Sequence, residues 1–396
     1  MSEISPTLPS ADTMLADAES ATGLSDWGER DLFEPEFRSL FTAMRDSIVA
    51  DAHLTARGLE GAEMRLRDMA ETRLRIVHDR RQRPEIARQR IVSPIIILGL
   101  PRAGSTFLHN LLAQDPANRA PLSWEMLFPS PPPAAEQNDP RIARAQRLLE
   151  GNGNAAPDMV DFHAGGADLP EECNFLMEGV AWSDNLSGVW KLSSYNRLRA
   201  GMDPRIAYET HRFLLQAIQS TMPDRRMLLK NPGHIFHVET LLATYPDALL
   251  VQTHRDPAKV MPSVTATIAT MRSYNSDLST DEKSIARGNN RAYATGLAKV
   301  MELRATRPEI DQRFHDVHFR QLIRAPIETA RAIYGHFGLP LSDEAIDAME
   351  NWLKSADEHQ AKRKFKLADF DLDEAGIESA FAGYIDHYGI ERERPA

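Results

Sequence analysis

Ile95-Ile96-Ile97-Leu98-Gly99-Leu100-Pro101-Arg102-Ala103-Gly104-Ser105-Thr106-Phe107-Leu108 is the stretch on which the reading of this chain turns. A β-branched, apolar run stops at Gly99, Pro101 and Gly104, after which Phe107, Leu108, Leu111 and Leu112 recur at helical spacing. The pattern predicts a buried strand, a tight loop and a helix. A helix start leaves backbone N–H groups unpaired at the positive end of the dipole. Gly104 lets an anion approach them, and Ser105 and Thr106 add hydroxyl donors. The loop is predicted to cradle a phosphate-like dianion.

Gly99, Gly104 and Thr106 fit the Walker pattern, but Ser105 stands where its lysine belongs and the strong cation has moved to Arg102. A P-loop kinase or NTPase needs that lysine, together with an Asp-ended strand for magnesium, of which the sequence offers no convincing case.

Pro101 to Phe107 resembles instead the first signature of the 3′-phosphoadenosine-5′-phosphosulfate (PAPS)-dependent sulfotransferases, P-[KR]-[SA]-G-[ST]-T-[WF], at every position. Their second signature is an Arg at a strand end with a Ser eight residues on. Here the strand Ala248 to Thr253 leads into His254-Arg255-Asp256-Pro257, and Ser263 follows eight residues after Arg255. The resemblance covers about residues 95 to 370 and implies an α/β fold: a central parallel sheet flanked by helices, with the phosphate loop after its first strand. It also implies PAPS as donor, its 5′-phosphosulfate on Arg102, Ala103, Gly104, Ser105 and Thr106, its 3′-phosphate on Arg255 and Ser263, and its adenine against Phe107.

The same likeness suggests further roles. Glu125, in Ser123-Trp124-Glu125, occupies the place of a glutamate base. Lys230, at the end of the strand Met227-Leu228-Leu229, matches a strand-end lysine that reaches the oxygen bridging phosphate and sulfate, and Arg102 would share in charge stabilisation. Phe319 stands where the family has an adenosine-contacting Tyr, so only stacking would remain. Arg363, in the basic run Lys362 to Lys366, matches a loop that closes over the 3′-phosphate; a solvated basic turn is the plainer account. A P-E-E segment of the family marks Glu171 and Glu172 as acceptor-site candidates, joined by His163 and Trp182. His234, four residues after Lys230, is read as a helix cap or supporting group, with a base role as the alternative.

Composition bounds these readings. The chain has 396 residues, 42% hydrophobic and 26% charged, with a net charge of −11. Such a field repels nucleic acid and anionic lipid, so a polyanionic donor needs a local cationic pocket. Cys173 is the only cysteine, which excludes an internal disulfide and a multi-thiolate metal site and suits a reducing compartment. The start of the chain does not read as a secretory signal, and no apolar run approaches the length of a membrane span. A cytoplasmic protein is expected.

Residues 1–30, polar and weakly periodic, are read as a flexible arm. Residues 31–90 form a helical extension, either a lid or dimer surface or an inner packing layer; apolar periodicity favours packing. Residues 91–396 form the α/β domain, with an acceptor-side insertion at about 129–200. No metal is expected: His315 and His318 fall on opposite strand faces, and His234 and His237 have no evident further ligands. The acceptor is read as a small apolar or aromatic alcohol, phenol or lipid-like molecule, with an amine as an alternative. Homo-oligomerisation stays open, and the rival readings are a P-loop kinase or NTPase and a non-catalytic nucleotide-binding protein.

Overall fold

Ile95–Gly99 is extended and wholly buried, as a β-branched run between two other strands must be. A computed structural model of the chain describes residues 7–133, 139–155, 166–277, 281–355 and 366–393. Within these, strands β1 (Ile95–Gly99), β2 (Asn118–Arg119), β3 (Arg226–Lys230), β4 (Leu249–His254) and β5 (Phe314–His318) form one sheet in the order β2-β3-β1-β4-β5. Every neighbouring pair is parallel. The register brings Ile97 beside Lys230, Gly99 beside Thr253 and His254 beside His318, so the carboxyl ends of the strands share one edge. That edge is where an open parallel sheet gathers its ligands.

Alternate side chains of β1 serve two cores. Ile95 and Ile97 pack with Leu108, Leu111, Ile333 and Tyr334, while Ile96 and Leu98 face a larger core on the other side. The larger core includes three N-terminal helices, α1 (Ala11–Thr22), α2 (Glu34–Asp51) and α3 (Ala56–Gln82). The expected arm over residues 1–30 is therefore corrected for its described part, residues 7–30. Ser10 caps α1 by accepting from the Thr13 N–H, and Ala11, Met14, Leu15 and Ala18 form a buried stripe that packs with α3. Arg73 of α3, itself buried, donates to the carbonyls of Trp27, Leu32 and Gly179 and so ties the segment after α1 to the body.

The helices that shape the functional edge follow the strands: α4 (Ser105–Leu112) after β1, α5 (Ser123–Leu127) after β2, and α6 (Arg205–Gln219) before β3. Beyond β4 and β5 come α7 (Pro257–Ser273), α8 (Glu282–Thr306), α9 (Phe319–Arg324), α10 (Pro326–His336) and α11 (Glu374–Tyr388). No helix among the described residues is long and apolar enough to cross a membrane.

Candidate active site

The loop between β1 and α4 has its unusual backbone at two places. Arg102 takes φ 59°, and Gly104 caps α4 at φ 85°. A Cβ on Gly104 would lie 3.0 Å from both Leu322 and Phe319, so conformation and space together call for glycine. Ser105 is buried while Thr106 is exposed at the helix start. Arg102 lies beside Arg255, and burial first, then that neighbouring guanidinium, pull it below the ordinary arginine range.

Arg255 comes to the same opening from the end of β4. Its Nη1 donates to the Arg102 carbonyl at 2.8 Å, and its guanidinium lies 3.8 Å from the centre of the Phe319 ring. Its remaining fork is closed by the chain itself: Nε and Nη2 donate to the two oxygens of Glu393 at 2.8 and 3.0 Å. The Glu393 N–H donates in turn to Asp256, the cap of α7, and Arg320 donates to Glu391 and to the Arg392 carbonyl. Arg255, His318, Phe319, Arg320, Tyr388 and Glu393 line a cavity of about 300 Å³ here. Ser263 lies half-buried farther along α7, and Phe107 packs its ring 5.4 Å from Trp352.

Lys230 approaches from β3, on the other side of β1. It is fully buried, and its Nζ donates to Glu172 at 2.6 Å and to the Thr106 hydroxyl at 3.4 Å. Glu172 keeps 22% of its side chain exposed and also accepts from Asn174. A cation sealed in protein, a partly open carboxylate and the start of α4 therefore meet at one point. Glu171, the buried neighbour, accepts from the Glu172 N–H and from Ser123.

Glu125 is placed differently from expectation. It is 2% exposed, pairs with the buried Arg119, and accepts from the Leu122 N–H at 2.8 Å. Both oxygens are engaged in holding the start of α5, so the carboxylate acts as a helix-terminal brace rather than facing an open cleft. Trp182 and His234 also belong to the larger core and its lining rather than to an open acceptor wall. Trp182 packs under Arg199 and against His237, and His234 is wholly buried with its Nδ1 bonded to Tyr208. Asn231, not His234, caps the short helix after Lys230. His163 and Arg363 lie outside the described residues.

Sequence reading missed the group beneath Arg255. Asp316 accepts from both terminal nitrogens of Arg304 and is bonded to His254, whose other ring nitrogen meets Tyr384. Burial works against the Asp316 carboxylate, but the bonds from Arg304 and His254 prevail and hold it well below the usual range. A charged residue on a strand and an arginine in the last turn of a helix carry no motif that would have joined them.

With this geometry in hand, comparison with known proteins is informative. A model of the sulfotransferase family matches residues 94–343. Omega-hydroxy-beta-dihydromenaquinone-9 sulfotransferase Stf3 of Mycobacterium tuberculosis is 25% identical over 313 residues, covering 76% of each chain. Among solved structures, sulfotransferase STF1 of Mycobacterium tuberculosis superposes with a TM-score of 0.80 at 30% identity, covering 95% of this chain and 99% of that one. Sulfotransferase STF9 of Mycobacterium avium gives 0.85 at 26% identity, with both chains covered in full.

Proposed function

Because this chain belongs to the sulfotransferase family, we propose that it moves a sulfuryl group from PAPS to the hydroxyl of an apolar acceptor. The observation that carries the donor assignment is the hydrogen bond from Arg255 to the Arg102 carbonyl, which sets two strand-end arginines at one opening. The backbone N–H groups of Gly104 to Thr106 and the Arg102 guanidinium would hold the 5′-phosphosulfate, and Arg255 with Ser263 the 3′-phosphate. Phe107 and Phe319 offer the rings for adenine. The cradle at Gly104, too tight for a Cβ, supports the fit.

PAPS supplies an activated sulfuryl group: as the acceptor oxygen bonds to sulfur, the bond from sulfur to the bridging oxygen breaks and its electron pair stays on the phosphate. Lys230, beside Thr106, is the cation for that oxygen. Glu172 rather than Glu125 receives the acceptor's proton in this reading, because it is the carboxylate that touches Lys230 and retains exposure. Donor arrival draws Lys230 toward phosphate and releases Glu172, so one exchange of partners arms both groups. Fixed cations meet the growing charge without a metal at the donor. Stf3 is named for an omega-hydroxylated dihydromenaquinone acceptor, which supports a hydroxylated, lipid-like acceptor here. Cytoplasmic residence, a reducing compartment that suits the single Cys173, completes the proposal.

Incubation with sulfur-labelled PAPS and a panel of long-chain alcohols, phenols and reduced quinones tests it. Labelled ester should form, and Glu172→Gln should lower turnover by about 10²–10⁴ while desulfated donor still binds, at least as tightly as before. Lys230→Ala should lower it by about 10²–10³. Binding of ATP with magnesium in preference to PAPS would overturn the donor assignment, and an active Glu172→Gln enzyme would remove only the base.

A further inference from the structure

Behind the Lys230–Glu172 pair lies a second polar cluster that the transfer reaction does not use. Cys173, His211 and His234 come from three separate stretches of chain, and all three are fully buried. The Cys173 sulfur and one nitrogen of each imidazole lie within 4.8 Å of one another. The other nitrogens are already committed: His211 Nδ1 is bonded to the Tyr245 hydroxyl at 2.8 Å and His234 Nδ1 to the Tyr208 hydroxyl at 2.9 Å. What each ring has left to offer is Nε2, and both Nε2 atoms are buried without a hydrogen-bond partner.

Two orphaned imidazole nitrogens facing one thiol in a dry pocket is a costly way to fill a core, since each lost its hydration without replacement. The arrangement has the features of a metal-ligand set. A ligating histidine characteristically has its second nitrogen fixed by an outer hydrogen bond, and both rings here are fixed by tyrosines. One thiolate and two imidazoles suit a borderline-soft divalent ion, zinc foremost, with a fourth position left for water. Zinc bonds of about 2.0–2.3 Å would draw the three ligand atoms to within about 4 Å of one another, a small closure from the spacing described.

We propose that Cys173, His211 and His234 form a structural site for a single divalent zinc-like ion. On binding, the sulfur–hydrogen bond of Cys173 is exchanged for a sulfur–metal bond and the proton leaves to solvent; no electron transfer is involved. The site is well placed to hold the reacting pair. Cys173 follows Glu172 directly, its N–H donates to the Lys230 carbonyl at 3.0 Å, and His234 lies on the turn that leaves Lys230. An ion there would fasten both segments to α6, which carries His211, and so fix the spacing of Lys230 and Glu172 without touching donor or acceptor. The proposal stands independently of the identity of the sulfuryl donor.

Because the cluster is sealed, the metal enters as the chain folds, and the test uses full-length protein expressed in zinc-supplemented and, separately, cobalt-supplemented medium. Purified chain passed over a chelating resin should retain one zinc per molecule by elemental analysis. The cobalt form should show the visible bands of a tetrahedral ion and a near-ultraviolet thiolate-to-cobalt band. Cys173→Ser should abolish the near-ultraviolet band, and His211→Gln should abolish metal retention, with far-ultraviolet circular dichroism confirming that each variant is folded. Should either variant fail to fold, the wild-type cobalt spectrum alone decides. Folded wild-type protein without retained metal, or a cobalt spectrum lacking the thiolate band, overturns the proposal and leaves a neutral, solvent-bridged core cluster.

Discussion

Among single residues, Glu125 is the instructive case. Its likeness to the family suggests a base, and only the folded chain reveals that Arg119, six residues earlier, claims one oxygen and the Leu122 N–H the other. Removing one member of a buried ion pair leaves the other charge uncompensated, which costs about 3–5 kcal/mol. Glu125→Ala should therefore lower the urea midpoint markedly, while the fraction that remains folded binds desulfated donor normally. Wild-type stability with lost turnover would return Glu125 to the chemistry. Arg102, Gly104 and Arg255 stood out in the sequence through their places in the two signatures that this chain resembles, and only at Gly104 does the backbone itself demand the residue found. Glu172 was harder to rank, since nothing local distinguishes it from Glu171 until Lys230 is found beside it.

The elements differ in how well they announce themselves. The strand-loop-helix around Gly104 and the strand before Arg255 were readable from period and punctuation. The end of the chain was not: α11 brings Tyr384 and Tyr388 onto His254, and the segment after it carries Glu393 into the fork of Arg255. That carboxylate occupies the guanidinium face that the 3′-phosphate of the proposed donor would use, so under the proposed function donor and tail would compete. Glu393→Gln should tighten binding of desulfated donor by roughly 10-fold, the equivalent of about 1.4 kcal/mol and within the range of a charge-assisted bond. Calorimetric titration would measure it; unchanged affinity would show that the tail yields at no cost. The N-terminal helix was misread for a related reason. Its buried stripe of Ala11, Met14, Leu15 and Ala18 is half alanine, and such small side chains give a weak signal until α3 is seen packing with them.

At the level of the molecule, buried histidines set how the fold responds to acid. Burial pulls His109 down to about 3 and lowers His254 despite its bond to Asp316. His109 is therefore neutral when folded, whereas in an unfolded chain it takes a proton below about 6.5, and the lowered His254 acts in the same direction. Their contribution is complete above that pH and falls as pH drops, at up to about 1.4 kcal/mol per pH unit for each group. Asp316, with its carboxyl held low, adds a loss only below the ordinary carboxylate range. Thermal melts should fall progressively from pH 7 to pH 5, and His109→Gln should flatten that slope; a melting point independent of pH over this interval would contradict the assignment. The parallel sheet was legible in outline, because the strand runs β1, β3 and β4 lead into Gly99, Lys230 and Arg255. What could not be read was that the helical extension and the sheet share one core, since that depends on contacts between residues hundreds of positions apart.

That shared core joins Met14, Phe37 and Leu66 to Leu250 on β4 and Phe381 on α11. Translation delivers these pieces in order, at about 5–20 residues per second. The first three helices thus leave the ribosome long before β4 exists to cover them, and they wait roughly 10–30 s with their greasy faces bare. Synthesis of this protein has a built-in interval in which a chaperone, or a neighbouring nascent chain, can reach them first.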